Sequence, residues 1–263
     1  MSDYQPPDPY ALTRREQARV LPKRFYQQVS TGEHPAGHVI LLDGKPAKRP
    51  DGAVLALPDA ALAKLLADEW AAQSAVIDLV TMPLTKLAMP ALAALPAQRL
   101  HWHDEIVTYA ETDLVCYRAE HPDKLIDLQA RHWDGVLHWA HTQLQAPFEV
   151  TAGISAVQQP AQALAKVREA LGPLMAEPTA LRLAALNTMT VLLGSTLLAL
   201  MCAKEAISSE AAWSAAHVDE DFQIGQWGID EEAAARRTAR FRDFAAAALL
   251  ARWRNRAPKN TGP

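Results

Sequence analysis

Three side chains near the middle of the chain, Asp134, His138 and His141, have types and spacing that could hold a divalent metal. On a helix, positions i, i+4 and i+7 share a face, and a carboxylate with two imidazoles suits zinc or manganese. Such a site would make the chain a metal-dependent hydrolase. The plainer alternative is a solvated helix face with a local Asp–His pair. His101 and His103 with Asp104 and Glu105 look similar, but residues two apart on a helix point to nearly opposite sides. His132 falls on an apolar stripe and reads as a core histidine. Cys116 has apolar neighbours and only Arg118 to favour its thiolate, so an inert buried thiol is expected. No Gly-x-Ser-x-Gly, Ser-x-x-Lys, Gly-x-Gly-x-x-Gly or Gly-x-x-x-x-Gly-Lys pattern occurs, so none of these motifs marks a nucleophile or a phosphate loop.

The trio needs a helix to position it, and Pro122 to Gln145 is predicted as one. Leu125, Leu128, His132, Val136 and Trp139 form one apolar stripe; Trp133, Leu137, Ala140 and Leu144 form another beside it. So wide a face suits a helix with several neighbours. Together with Glu111 to Arg118 it makes a natural packing hub, to which Trp70, Tyr109, Asp113, Trp133 and Trp139 are assigned.

The elements before it are short. Phe25 to Val29 reads as a strand, Thr31 to Gly37 as a turn, and Val39 to Leu42 as a strand entering an Asp43-Gly44 hairpin turn. Lys45 to Arg49 and Val54 to Leu57 complete a meander, and a helix from Pro58 must cover it, because so few strands are unstable alone. Ile77 to Val80 is predicted as a strand, and Pro83–Ala94 and Pro96–Ala110 as helices. After a Pro147–Ser155 connector, helices are predicted at Pro160–Leu171, Thr179–Lys204, Ser208–Phe222 and Asp230–Arg254. The uncharged run from Leu183 to Ala203, 21 residues, is long enough to span a bilayer. The favoured reading is a central helix buried all round by amphipathic neighbours.

Of the 263 residues 49% are apolar, and the net charge is −4. That balance gives no general attraction to nucleic acid or an anionic membrane. Two isolated cysteines fit a reducing compartment. Met1 to Pro22 has four prolines, mixed charge and no apolar core, so it reads as a mobile lead-in rather than a signal peptide.

Charge is patterned towards the C-terminus. From Glu205 to Glu232 there are eight acidic residues and no Lys or Arg; from Arg236 to Lys259 there are eight basic ones against Asp243. Around a predicted loop, Asp219, Glu220, Asp221, Phe222, Trp227, Glu231 and Glu232 put carboxylates beside aromatics. Aromatic anchors with a charged rim suit protein recognition.

A set of short segments then falls into order: Lys23-Arg24-Phe25-Tyr26, Leu42-Asp43-Gly44-Lys45-Pro46, Leu57-Pro58, Glu69-Trp70 with Gln73, and Met82-Pro83-Leu84-Thr85. Tyr109, Thr112-Asp113-Leu114, Cys116-Tyr117-Arg118, Gln129, Trp133-Asp134 and Trp139 follow. Asp219-Glu220, Gln223, Trp227-Gly228, Asp230 and Glu232-Ala233 complete it. Over roughly residues 20 to 250 the chain resembles the assembly chaperones of the F-type ATP synthase α subunit. Gly225 and Ile229 depart from the more acidic segment expected of that family. The resemblance implies an α+β fold: a small N-terminal β-meander with helices at 23–110 and a larger helical C-terminal domain at 111–256, with a tail at 257–263. It implies a protein that is not an enzyme, needs no cofactor or metal, and is a monomer when free. Its partner would be the ATP synthase α subunit, held until the β subunit replaces it. A cytoplasmic location is expected in bacteria and the mitochondrial matrix for eukaryotic relatives.

Overall fold

The computed structural model describes residues 21–153 and 155–253. The predicted tail at 257–263 and nearly all of the lead-in lie outside them. The fold is α+β, with a small antiparallel sheet at the front and a larger helical region behind.

Strands β1 (Val29–His34) and β2 (Gly37–Leu42) pair antiparallel from Val29↔Leu42 to His34↔Gly37. The predicted strand at Phe25–Val29 and turn at Thr31–Gly37 are thus corrected. The Asp43 carboxylate accepts the backbone N–H groups of Gln27 at 3.0 Å and Gln28 at 2.7 Å, which takes those donors out of any ladder. Pairing therefore starts at Val29.

The Asp43-Gly44 turn forms as expected, with φ of 48° and 77°. It leads into β3 (Lys45–Pro46), while β4 (Ala56–Leu57) pairs with the other end of β2. Helix α1 (Ala60–Ala71) covers the sheet, burying Leu62, Leu66 and Trp70. It starts where Asp59 accepts the Leu62 N–H at 2.9 Å, a side-chain N-cap.

No strand forms at Ile77–Val80. A single bridge joins Val76 to Lys23. Gln73 then accepts the Asp78 N–H at 2.8 Å and Asp78 accepts that of Val80 at 3.0 Å, winding the chain into a short 3₁₀ turn. The Glu69 carboxylate caps α2 (Pro83–Ala93) through the N–H groups of Leu84 and Thr85, both at 2.8 Å. Burial pushes the Glu69 pKa up.

Helices α3 (Pro96–Glu111) and α4 (Asp123–Gln143) flank a 3₁₀ turn and the short strand β5 (Tyr117–Arg118), which pairs parallel with β6 (Thr151–Ala152). Helix α5 (Ala161–Met175) follows.

The predicted single helix over Thr179–Lys204 is two, α6 (Leu181–Leu193) and α7 (Thr196–Ala203). Gly194 ends the first in the left-handed region at φ 64°, and the Ser195 hydroxyl caps the second through the Leu198 N–H at 3.0 Å. Among the described residues no helix is long and apolar enough to cross a membrane. Helix α6 lies at the centre, against α2, α3, α5, α7 and the last helix.

Ser208–Phe222 likewise divides at His217 into α8 (Ser209–Ala216) and α9 (Val218–Trp227). Helix α10 (Glu231–Ala251) begins at Asp230, which accepts from Glu232 and Ala233. Two contacts tie its C-terminal half to the front of the molecule: Lys86 Nζ to Asp243 at 3.0 Å, and the Trp253 indole N–H to Asp59.

Candidate protein-binding surface

The structure does not gather the proposed metal trio. The Asp134 carboxylate faces solvent and pairs with Arg118 at 3.0 Å, and His138 and His141 are exposed. Among the described residues no group of three His, Cys, Asp or Glu side chains could hold a metal ion. The same Arg118 guanidinium lies 5.2 Å from the Trp133 ring centroid, so it is a packing cation between indole and carboxylate. Burial and the nearby Asp113 carboxylate push the Cys116 thiol up to about 12, leaving it protonated and unreactive at neutral pH. His132 is half-buried rather than a core residue.

The residues assigned to a hub occupy two places. Trp70 is buried beneath the sheet, its carbonyl accepting the Tyr26 hydroxyl at 2.8 Å. Asp113, Trp133 and Trp139 lie in the helical part, and Tyr109 is half-buried on α3. On α4 the buried residues are Gln129, Trp133, Val136, Trp139 and Ala140, which straddle the two predicted stripes. The Trp133 indole N–H donates to the Ala215 carbonyl at 2.7 Å, fastening α4 to α8. Helix α4 packs mainly on α7, α8 and α9, whereas the front unit meets the helices through α2, α3 and α10.

The acidic and aromatic residues come together, though on a helix rather than the predicted loop. From residue 219 to 243 no side chain is buried, yet nearly all of this stretch is helical. It forms an arm in which α9 and the first turns of α10 are joined through Gly228–Asp230, with Gly228 at φ 92°. The ten-residue α9 is marginal in water without tertiary packing; the arm is held at its ends by the buried Val218 and Phe244, with Phe241 half-buried against the core beside them.

Within the arm the seven candidates differ. Asp219 is partly covered and accepts from the Gln129 amide at 2.7 Å, and Gln129 in turn accepts the Ala119 N–H at 2.8 Å. Asp221 pairs with Arg237, which raises the Arg237 pKa, and Glu232 pairs with Arg236. Glu220 lies 3.9 Å from His217, and Phe222 is half-buried between α9 and α4. Glu231 is exposed, and Trp227 is 83% exposed.

Helix α9 is anchored at its start by His217, whose Nδ1 meets the Trp213 carbonyl at 2.8 Å while its ring lies 4.1 Å from the Trp213 ring. Burial lowers the His217 pKa, against the raising effect of that carbonyl. Between α8, α9 and α10 opens a groove of about 730 Å³ with Trp213, Ile224, Trp227, Ile229 and Phe241 on its walls. Apart from Trp227, these were not singled out as site residues from the sequence. The visible signal was an apolar pair, Trp227 and Ile229, left beside a helix-ending glycine.

The arm thus sets carboxylates and aromatics together on a helical surface that the scaffold does not bury. Among known proteins, the matching family model is that of a chaperone, the ATP12 chaperone protein, over residues 23–141. Atp12 from Paracoccus denitrificans is 34% identical over 87% of this chain and 97% of its own, with a TM-score of 0.78. A point mutant of that protein matches at 33% identity and the same TM-score, over 88% of this chain and 97% of its own. A protein of Agrobacterium tumefaciens described as a candidate chaperone is 39% identical over 94% of this chain and 91% of its own, with a TM-score of 0.83. The chain belongs to the ATP12 chaperone family.

Proposed function

We propose that the chain is an assembly chaperone of the F-type ATP synthase that binds the free α subunit and yields it to the β subunit. The observation that carries this reading is the arm at 219–243, a helical surface with acids and aromatics and nothing buried. A subunit awaiting its partner exposes a large apolar interface, an aggregation hazard that a chaperone covers for a time. Release to a competing subunit asks for ready exchange rather than tight binding. In this reading residues 111–256 carry the contact surface and 23–110 act as a brace, acting as a monomer in the cytoplasm without cofactor. The test is light scattering of purified α subunit with and without the chaperone, in the absence of nucleotide. Suppression of aggregation, reversed by added β subunit, is expected. Aggregation at the same rate with and without the chaperone would refute the proposal.

A further inference from the structure

We infer that the groove between α8, α9 and α10 receives an apolar side chain carried on a basic segment of the partner. This deepens the reading above and rests on it. The groove has an aromatic floor, where the rings of Trp213 and Phe241 meet edge to face at 5.4 Å, and Ile224 forms its α9 wall. Its volume of about 730 Å³ is within the range of pockets that enclose a small ligand, room for an anchor and its neighbours. Among the described residues the rim carries Glu210, Glu220, Asp221 and Asp230 against one cation, Arg237, which Asp221 already neutralises. Three carboxylates remain to attract Arg or Lys beside the anchor, and they disfavour an acidic segment. Arg252 does not fill the groove, because its guanidinium is held by the Cys202 carbonyl at 3.0 Å and the Ser209 hydroxyl at 3.2 Å.

The experiment uses two synthetic peptides of about twelve residues with one leucine-rich centre, flanked by arginine in one and glutamate in the other. Binding is followed by tryptophan emission in the full chain, with Trp227→Phe identifying the responding indole, and α-subunit capture is measured in parallel. The arginine peptide is expected to bind with a blue shift and to weaken as salt rises from about 0.05 to 0.5 M. Ile224→Asp and Trp227→Asp should each reduce peptide binding and α capture by about ten-fold or more with melting unchanged, since neither residue is buried. Equal binding of both peptides overturns the inferred chemistry. Undiminished α capture by both folded variants overturns the groove while leaving the chaperone function standing. Peptide binding without α capture supports the groove and refutes the proposed partner. Binding that competes with concentration-dependent self-association, seen by sedimentation, makes a second copy the occupant and overturns the inference.

Discussion

The Asp113 carboxylate, fully buried, accepts the backbone N–H of Leu197 at 2.9 Å across 84 residues of sequence. Its other oxygen accepts from Val115 at 3.3 Å, and Ser195 donates to the same group. Asp113 therefore caps both the 3₁₀ turn at 114–116 and α7, and it fixes the break in the uncharged stretch.

Asp113→Ala should leave these donors unpaired and cost about 3 kcal/mol in chemical denaturation. Desolvation holds the Asp113 pKa up at about 6, against hydrogen bonds that lower it. A raised carboxyl binds its proton more readily folded than unfolded. Its contribution to stability is fully present below the ordinary carboxylate range and is lost as pH rises through about 6. Subtracting the pH profile of Asp113→Asn from that of wild type should leave this slope between about pH 4 and 6; a flat difference would show that Asp113 is ionised throughout.

His217 contributes with the opposite sign. Its lowered pKa means the unfolded chain takes up the proton first, so stability is present above the unfolded value and falls as pH drops below about 6.5. Because His217 begins α9, this loss should appear first in the arm, as faster amide exchange at 218–227 at pH 5.5. His217→Gln should remove the pH dependence of that exchange.

Trp133→Ala empties a fully buried site and should cost about 3–5 kcal/mol. Trp133→Phe keeps most of the volume but orphans the Ala215 carbonyl, for about 1–3 kcal/mol. Trp139, 9% exposed, should fall at the lower end of the alanine range. Urea midpoints rank the three, and a Trp133→Phe variant as stable as wild type would show that the Ala215 bond contributes nothing.

Asp59 both caps α1 and accepts the Trp253 indole, so it latches the last helix to the front unit. Asp59→Ala should lose about 1 kcal/mol for each role. Paired with Trp253→Phe in a double-mutant cycle, it should give a coupling of about 0.5–1.5 kcal/mol. Additive effects would mean the two residues act independently in solution.

Charge reversal separates recognition from support within the arm. Glu231→Lys and Glu232→Lys should weaken α capture about 3–10-fold at low salt and shift melting by no more than about 2 °C. Asp219→Lys breaks the Gln129 link as well, so it should lower both melting temperature and capture. Identical behaviour of all three would erase the distinction.

Local signals in the sequence located much of the scaffold. Asp43-Gly44 and Asp230 carry their conformation in their own chemistry, a turn tolerant of positive φ and a side chain that caps. The break at Gly194-Ser195 is hidden because the apolar residues on either side are buried on nearly every face, which erases the periodicity a boundary would interrupt. Asp219 read as a contact residue because nothing local shows that Gln129, 90 residues earlier, would hold it. The groove depends on the angle between α9 and α10, and composition does not encode that angle.

No side chain of residues 219–243 is fully buried, so interior volume matching constrains this stretch less than the body, with Phe222 and Phe241 as its packed points. The arm is therefore a surface whose chemistry can drift along with its partner while the body that holds it stays fixed.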